Sequence, residues 1–299
     1  MKTPPVCNYE GSDYQQSFWD EGGRQYEDLA EAAALRQLLP PSGNLMLELG
    51  AGAGRNTLRY KGYRQVVVLD YSKTQLEQAK ARLGSGAEYI YVAADIYRLP
   101  FKNGLFDGAT MIRTLHHMRE PELALSRIER TLAPGAVFIL EYANKLNLKS
   151  IGRYFLGKQR WSPFSHEQVE FVELNFDFHP AHIRQIVSKL GLKVAETRTV
   201  SHFRIGFLKR VFPARFLAAV DGFIQPTGNL WQLTPSVFLR LEKSGEQSEA
   251  REGLLQPLDI FACPDCGGAL TGENELLRCS ACDKAWSAKD GIYDFRQPV

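Results

Sequence analysis

Short apolar runs alternate with amphipathic stretches along the first half of the chain. Residues 44–50 (NLMLELG), 65–70 (QVVVLD), 87–95 (AEYIYVAAD), 106–113 (FDGATMIR) and 136–143 (AVFILEYA) are nearly all apolar, the pattern of strands buried on both faces. Between them, residues 23–39, 72–83 and 120–132 carry apolar side chains at helical spacing, and the first of these stretches stops at Pro40-Pro41. Strand alternating with helix predicts parallel βαβ units in an open, doubly wound α/β sheet. Beyond residue 143 the pattern loosens to one helix at 179–191 and two strands at 193–200 and 236–243. Residues 244–256 are polar and read as a linker to a small module at 257–299, so the expected organisation is 1–243, 244–256 and 257–299.

The first strand runs directly into Glu48-x-Gly50-x-Gly52-x-Gly54. Glycines at alternate positions let the backbone turn sharply and approach a ligand that a Cβ would hit. The loop is therefore expected to cradle a ligand against the start of a helix. A dinucleotide fingerprint would need glycine at position 55, where Arg55 stands, and the Lys-Ser/Thr of a phosphate-binding P-loop is absent. Asp70 ends the second strand and can accept from a ribose diol. Asp95 ends the third, where a carboxylate can accept from an adenine amino group.

This ordered set resembles the class I S-adenosylmethionine-dependent methyltransferases over roughly residues 40–143, in the branch that includes quinone-biosynthesis methyltransferases. The resemblance implies a seven-stranded Rossmann-like sheet with S-adenosyl-L-methionine as cofactor. It implies that the loop residues Glu48, Gly50, Ala51, Gly52 and Gly54 lie under the methionine part, Asp70 and Tyr71 at the ribose, Asp95 and Ile96 at the adenine, and Arg113 beside the cofactor. One departure is Gly135-Ala136, where the family usually has two glycines; it touches a turn, not the site. Methyl transfer from a sulfonium is an in-line displacement, and it needs a base only if the acceptor must lose a proton. His116 and His117, in the loop after the fourth strand, are the candidate bases, each with the alternative of packing or capping the next helix; Glu141 and Tyr142 stand behind them.

Charge and aromatic content sharpen the picture of the acceptor. The net charge of +2 hides a basic middle: residues 145–243 carry 15 Lys/Arg against 7 Asp/Glu. Segments 144–178 and 201–234, with the N-terminal stretch 14–29, are expected to form an aromatic lid over the methyl group. Aromatics with cations suit a small anionic or amphipathic molecule, stacked bases or a membrane surface, the alternative being a small extra core with a solvated basic face. The aromatics outnumber the charges, which favours a small, partly apolar acceptor. RNA (tRNA or rRNA) or a translation factor is the alternative, and a non-catalytic S-adenosylmethionine-binding interaction protein is a third reading. No apolar run approaches the ~18 residues of a membrane span, and the N-terminus lacks a signal-peptide core, so the protein is expected to be cytoplasmic.

The cysteines bear on the C-terminal module. Cys263-x2-Cys266 and Cys279-x2-Cys282, twelve residues apart, offer four thiolates in two knuckles, the spacing of a closed structural Zn2+ site. The tail CSACDKAWSAKDGIYDF resembles the small zinc-ribbon activator subunits that partner methyltransferases of the translation machinery. Residues 257–299 carry 4 Lys/Arg and 7 Asp/Glu, a poor surface for phosphates, so the ribbon is expected to stabilise or cover the catalytic domain.

Overall fold

A computed structural model describes residues 4–12, 15–246, 253–273 and 275–299 of the chain. The strands are β1 (Gly43–Leu49), β2 (Tyr63–Asp70), β3 (Tyr89–Ala93), β4 (Phe106–Met111), β5 (Leu132–Ala143), β6 (Val169–Val172), β7 (Asn175–Asp177), β8 (Leu192–Val200), β9 (Ser236–Lys243), β10 (Leu270–Glu273), β11 (Leu276–Cys279), β12 (Ala285–Lys289) and β13 (Ile292–Asp294). The helices are α1 (Gln25–Leu38), α2 (Lys73–Leu83), α3 (Pro121–Thr131), α4 (Leu148–Phe155), α5 (Pro180–Lys189), α6 (Gly206–Val211), α7 (Ala214–Ile224) and α8 (Pro257–Ile260).

Eleven strands form one mixed sheet in the order β10-β11-β12-β13-β3-β2-β1-β4-β5-β9-β8. Strands β1 to β5 run parallel, and β9 returns antiparallel on β5, with Glu141 facing Phe238 in register. The strands that read as continuous apolar runs are buried along almost their whole length, as two covered faces require. Helix ends follow local chemistry. The Ser72 side chain accepts from the Gln75 amide at the start of α2, Gly84 (φ 96°) ends that helix, and Pro121 opens α3.

Two features depart from the expected plan. The glycine loop does not open a helix: between β1 and β2 there is only a 3-10 turn at Thr57–Arg59. The glycine loop and this one turn take up residues 50–62. Arg55 and Arg59 instead ion-pair with Asp28 of α1, which covers this side of the sheet. The second departure is that the C-terminal module is built into the sheet. β13 pairs parallel with β3, Ile292 opposite Tyr91 and Asp294 opposite Ala93, so the four strands of the C-terminal module extend the seven that precede them. Phe261 seals the join against Phe101, Tyr293 and Phe295, and Trp286 is fully buried beside Phe295. The Gln65 side chain exchanges hydrogen bonds with the Leu255 backbone at 3.1 and 3.2 Å. Part of the expected linker, residues 247–252, lies outside the described residues.

Candidate cofactor cleft and cysteine site

The site forms at the carboxyl ends of the central strands, where an open α/β sheet places ligands. Gly50, Gly52 and Gly54 all have positive φ (67°, 54° and 74°). At Gly50 a Cβ would sit 2.1 Å from the Thr114 hydroxyl, so the turn is closed to any side chain. Gly54 faces the other way, packed on α2, where a Cβ would lie 2.9 Å from Leu83. A Cβ at Gly52 would meet nothing closer than Gln75, at 3.8 Å, and would fill space that belongs to the cleft.

Asp70 is fixed by the same loop. Its Oδ2 accepts from the Gly52 amide at 2.8 Å and its Oδ1 from the Ser72 amide at 2.9 Å. Burial raises its pKa above the ordinary carboxylate value, against the pull of these amides. Asp95 accepts from the Tyr97 amide at 2.9 Å and is likewise raised by burial. Gly50, Ala51, Gly52, Asp70, Tyr71, Asp95, Ile96, Arg113 and His117 all line one cleft.

Glu48 is not among the lining residues. It is buried beneath the loop, where it accepts from the Thr57 hydroxyl at 2.5 Å and the Tyr60 hydroxyl at 3.3 Å. Burial pushes its pKa up to about 7. A carboxyl raised in the folded state contributes stability that is complete below its unfolded value and is lost as pH rises through about 7. On the order of 3 kcal/mol separates the two ends of that window. Glu48→Gln is therefore expected to change the melting temperature little near about pH 4 and to raise it by several degrees near about pH 8. Thermal scans across pH check this, and a constant difference at both ends would contradict it.

Arg113 occupies the left-handed region (φ 55°), a conformation that bulky side chains avoid. It is held there because its amide donates to Glu141 Oε2 at 2.8 Å while its guanidinium pairs with fully buried Glu31. The other Glu141 oxygen accepts from the Ser236 hydroxyl at 2.6 Å, so this carboxylate is occupied as a support for Arg113. Tyr142 is buried in the core. His117 is tied at both ring nitrogens, Nδ1 to the Leu174 carbonyl at 3.0 Å and Nε2 to the Tyr9 hydroxyl at 3.2 Å. His116 lies beside it, ring centroids 4.0 Å apart, and burial with the charges of His117, Arg113 and Arg204 depresses its pKa strongly.

Trp19 belongs to the stretch 14–29 expected over the cleft and does line it, whereas the other groups here had no signal in the sequence. Trp19 stacks under the Arg55 guanidinium, 3.6 Å from ring centroid to cation, with Arg113 at 5.1 Å. Arg55 also pairs with Glu31 at 2.8 Å, so one buried carboxylate serves two arginines. The N-terminal segment crosses the cleft mouth: Val6, Cys7 and Tyr9 line it. Glu10 accepts from the Lys73 and Thr74 amides, capping α2 from sixty residues away in sequence. Arg296, from the ribbon, donates to Glu10 at 2.8 Å and lies over the Tyr71 ring. Asp177, at the end of β7, is pushed up to about 6 by burial despite Lys145 and Arg204.

Comparison with known proteins now bears on this geometry. A methyltransferase-domain family matches residues 47–140, the span that holds the loop, both acids and Arg113. The chain is 30% identical over 164 residues to a 2-phytyl-1,4-naphtoquinone methyltransferase of Nostoc punctiforme, covering 43% of this chain and 70% of that protein. The chain belongs to the class I S-adenosylmethionine-dependent methyltransferases. An O-methyltransferase of Penicillium expansum is 30% identical over 135 residues, covering 41% of this chain and 48% of that protein. A demethylmenaquinone methyltransferase of Clavibacter sepedonicus is 32% identical over 116 residues, 38% and 47%. The methyltransferase thus spans about half the length of these last two relatives. Among solved structures, the fold is shared with the complex between the Haloferax volcanii Trm112 methyltransferase activator and a methyltransferase (TM-score 0.53, 18% identity, covering 76% of this chain and 94% of that one).

The residues of this methyltransferase fit the family's cofactor. Two carboxylate oxygens of Asp70 are each half used by backbone amides, which leaves lone pairs for a diol. The open space at Gly52 is the cradle that a Cβ would fill.

The second cluster lies in the ribbon. The sulfurs of Cys263, Cys266, Cys279 and Cys282 all lie within 4.8 Å of one another, and two of the separations are 3.7 and 3.5 Å. A tetrahedron of ~2.3 Å metal–sulfur bonds has edges of about 3.8 Å. Disulfides would be far shorter, at about 2.05 Å.

Proposed function

We propose that this methyltransferase transfers a methyl group from S-adenosyl-L-methionine to a small, partly apolar acceptor, with one structural Zn2+ held by Cys263, Cys266, Cys279 and Cys282. Support for the acceptor class comes from the aromatic content of segments 144–178 and 201–234, although of the expected lid Trp19 alone is among the residues lining the cleft, and from the names of the relatives, O-methyltransferases and quinone methyltransferases. When bound, the cofactor supplies an electrophilic methyl on its sulfonium. The chain's own part is to bind, orient and keep water out. Asp70 accepts from the ribose hydroxyls, Asp95 and Ile96 face the adenine, and Arg55 and Arg113 offer cations to the carboxylate end. No helix opens after the loop to present its positive end there, and these two arginines take its place.

Neither histidine is suited to carry away a proton in this reading. His117 has both nitrogens engaged and serves as a tie between the N-terminal segment and the β6–β7 hairpin. His116 is not among the cleft-lining residues, and burial depresses its pKa, so it packs beside His117. The ribbon, welded onto the edge of β3, acts as an activator built into the chain. A reducing, cytoplasmic setting belongs to the same reading, because the thiols must stay available to the metal.

Transfer of tritiated methyl groups into fractionated cell extract tests the acceptor. Label is expected in organic-soluble metabolites and to be insensitive to moderate salt. Label in RNA that falls steeply with salt would establish the nucleic-acid alternative instead, and no label in any fraction would favour a non-catalytic binder.

A further inference from the structure

The lid leaves a wide apolar surface uncovered. Leu148 (65% exposed), Phe155 (74%), Leu156 (70%), Phe223 (87%) and Leu230 (75%) stand out from it, with Phe207 and Trp231 beside them in the same two segments. Patches of this kind mark an interaction site. The two lid segments meet at one place, since the Leu148 amide donates to the Leu233 carbonyl at 2.9 Å and the Asn144 side chain bonds the Gln232 and Thr234 carbonyls. The start of α4 therefore adjoins residues 232–234, which follow Leu230 and Trp231 in the chain.

The charge beside Leu148, Phe155 and Leu156 in the chain is basic, while the acids of segment 144–178, Glu167, Glu170, Glu173 and Asp177, lie on and next to the β6–β7 hairpin. Residues 144–166 contain five Lys/Arg and no Asp or Glu, and 201–234 contain four Lys/Arg with Asp221 alone, which is fully buried on Tyr26 and Gln225. Lys149, Arg153, Arg210 and Arg215 are exposed between the apolar side chains. A second copy would bring like charges together. Stacked bases would use the aromatic rings but leave Leu148, Leu156 and Leu230 without a partner. Hydrocarbon beneath anionic headgroups takes both sets.

We propose that this lid face docks on an anionic lipid bilayer, with the exposed Phe and Leu side chains at the headgroup–acyl boundary and the four cations on lipid phosphates. The proposal goes beyond the methyl-transfer reading and stands without it, because docking requires no turnover. An apolar acceptor dissolved in the bilayer would then reach the cleft from the membrane side.

Flotation of the full chain with vesicles tests this. Partition is expected onto phosphatidylcholine mixed with phosphatidylglycerol and not onto phosphatidylcholine alone, with a blue shift in tryptophan emission. The pair Lys149→Glu and Arg153→Glu is expected to lower partition at least about tenfold, and the triple change Phe155→Ser, Phe223→Ser and Leu230→Ser to abolish it. In both variants the thermal shift produced by S-adenosylhomocysteine should persist, which shows the fold intact. No partition, equal partition onto both vesicles, or partition unchanged in the charge-reversed pair would overturn the proposal. So would a dimer or an RNA complex lost in the serine variant while vesicles are ignored.

Discussion

Purified protein is expected to carry close to one zinc per chain, and Cys279→Ser is expected to lower the melting temperature by at least about 10 °C. Structural zinc contributes on the order of 10–16 kcal/mol to the folding of isolated zinc-finger modules. Part of that loss would be offset here, because Phe261, Trp286 and Phe295 remain packed against the methyltransferase core. Even a residual loss of about 5 kcal/mol shifts the midpoint of a chain this size by roughly 10–20 °C. The damage should also spread. β13 covers the edge of β3, so a melted ribbon exposes unpaired backbone groups that invite aggregation. Arg296 would release Glu10 and Tyr71, which loosens the segment across the cleft mouth, so cofactor affinity should fall with the metal. Metal analysis, calorimetry and titration with S-adenosylhomocysteine on the same preparations check this. A folded, zinc-free chain with an unchanged midpoint would remove the metal from the account.

The expectations that held best rest on short-range physics. The strands around Leu47, Val67 and Phe138 were legible because both faces of each are covered, which forces continuous apolar runs. Helices α2 and α3 were legible from apolar side chains at helical spacing over 72–83 and 120–132. The two cysteine pairs, set apart by their local spacing, do bring their four sulfurs together. What stayed hidden depends on contacts between distant residues. Nothing near Glu10 says that it caps a helix at Lys73, and nothing near Ile292 says that its strand will join Tyr91 rather than close a separate module. The missing helix after the glycine loop also depends on distant residues, since Arg55 and Arg59 are drawn to Asp28 of α1. Glu31 shows the limit most plainly. It sits mid-helix in an alanine-rich stretch where a carboxylate reads as a solvated face, yet it is fully buried because Arg55 and Arg113 close on it from two other elements.

Asp70→Ala is expected to weaken S-adenosylmethionine binding by about 10²–10⁴-fold. An ionised carboxylate has roughly four acceptor positions. The Gly52 and Ser72 amides take one on each oxygen, which both aims the group and leaves acceptors open to the cleft. Each hydrogen bond to a charged acceptor is worth about 1.5–3 kcal/mol, so losing the partner of two ribose hydroxyls costs roughly 3–6 kcal/mol. The loop should suffer as well, because the Gly52 amide loses the oxygen that holds it near φ 54°. In Asp70→Asn one amide oxygen can replace one carboxylate oxygen, but the NH2 group must then face a backbone N–H, so the asparagine variant should bind more weakly than wild type and also melt lower without ligand. Burial already raises the Asp70 pKa, so wild-type affinity should fall as the carboxyl gains its proton in acid, and the alanine variant should show no such limb. Titration calorimetry with S-adenosylmethionine at several pH values reads both effects. An alanine variant that binds within about threefold of wild type would mean that the ribose is held by groups other than Asp70.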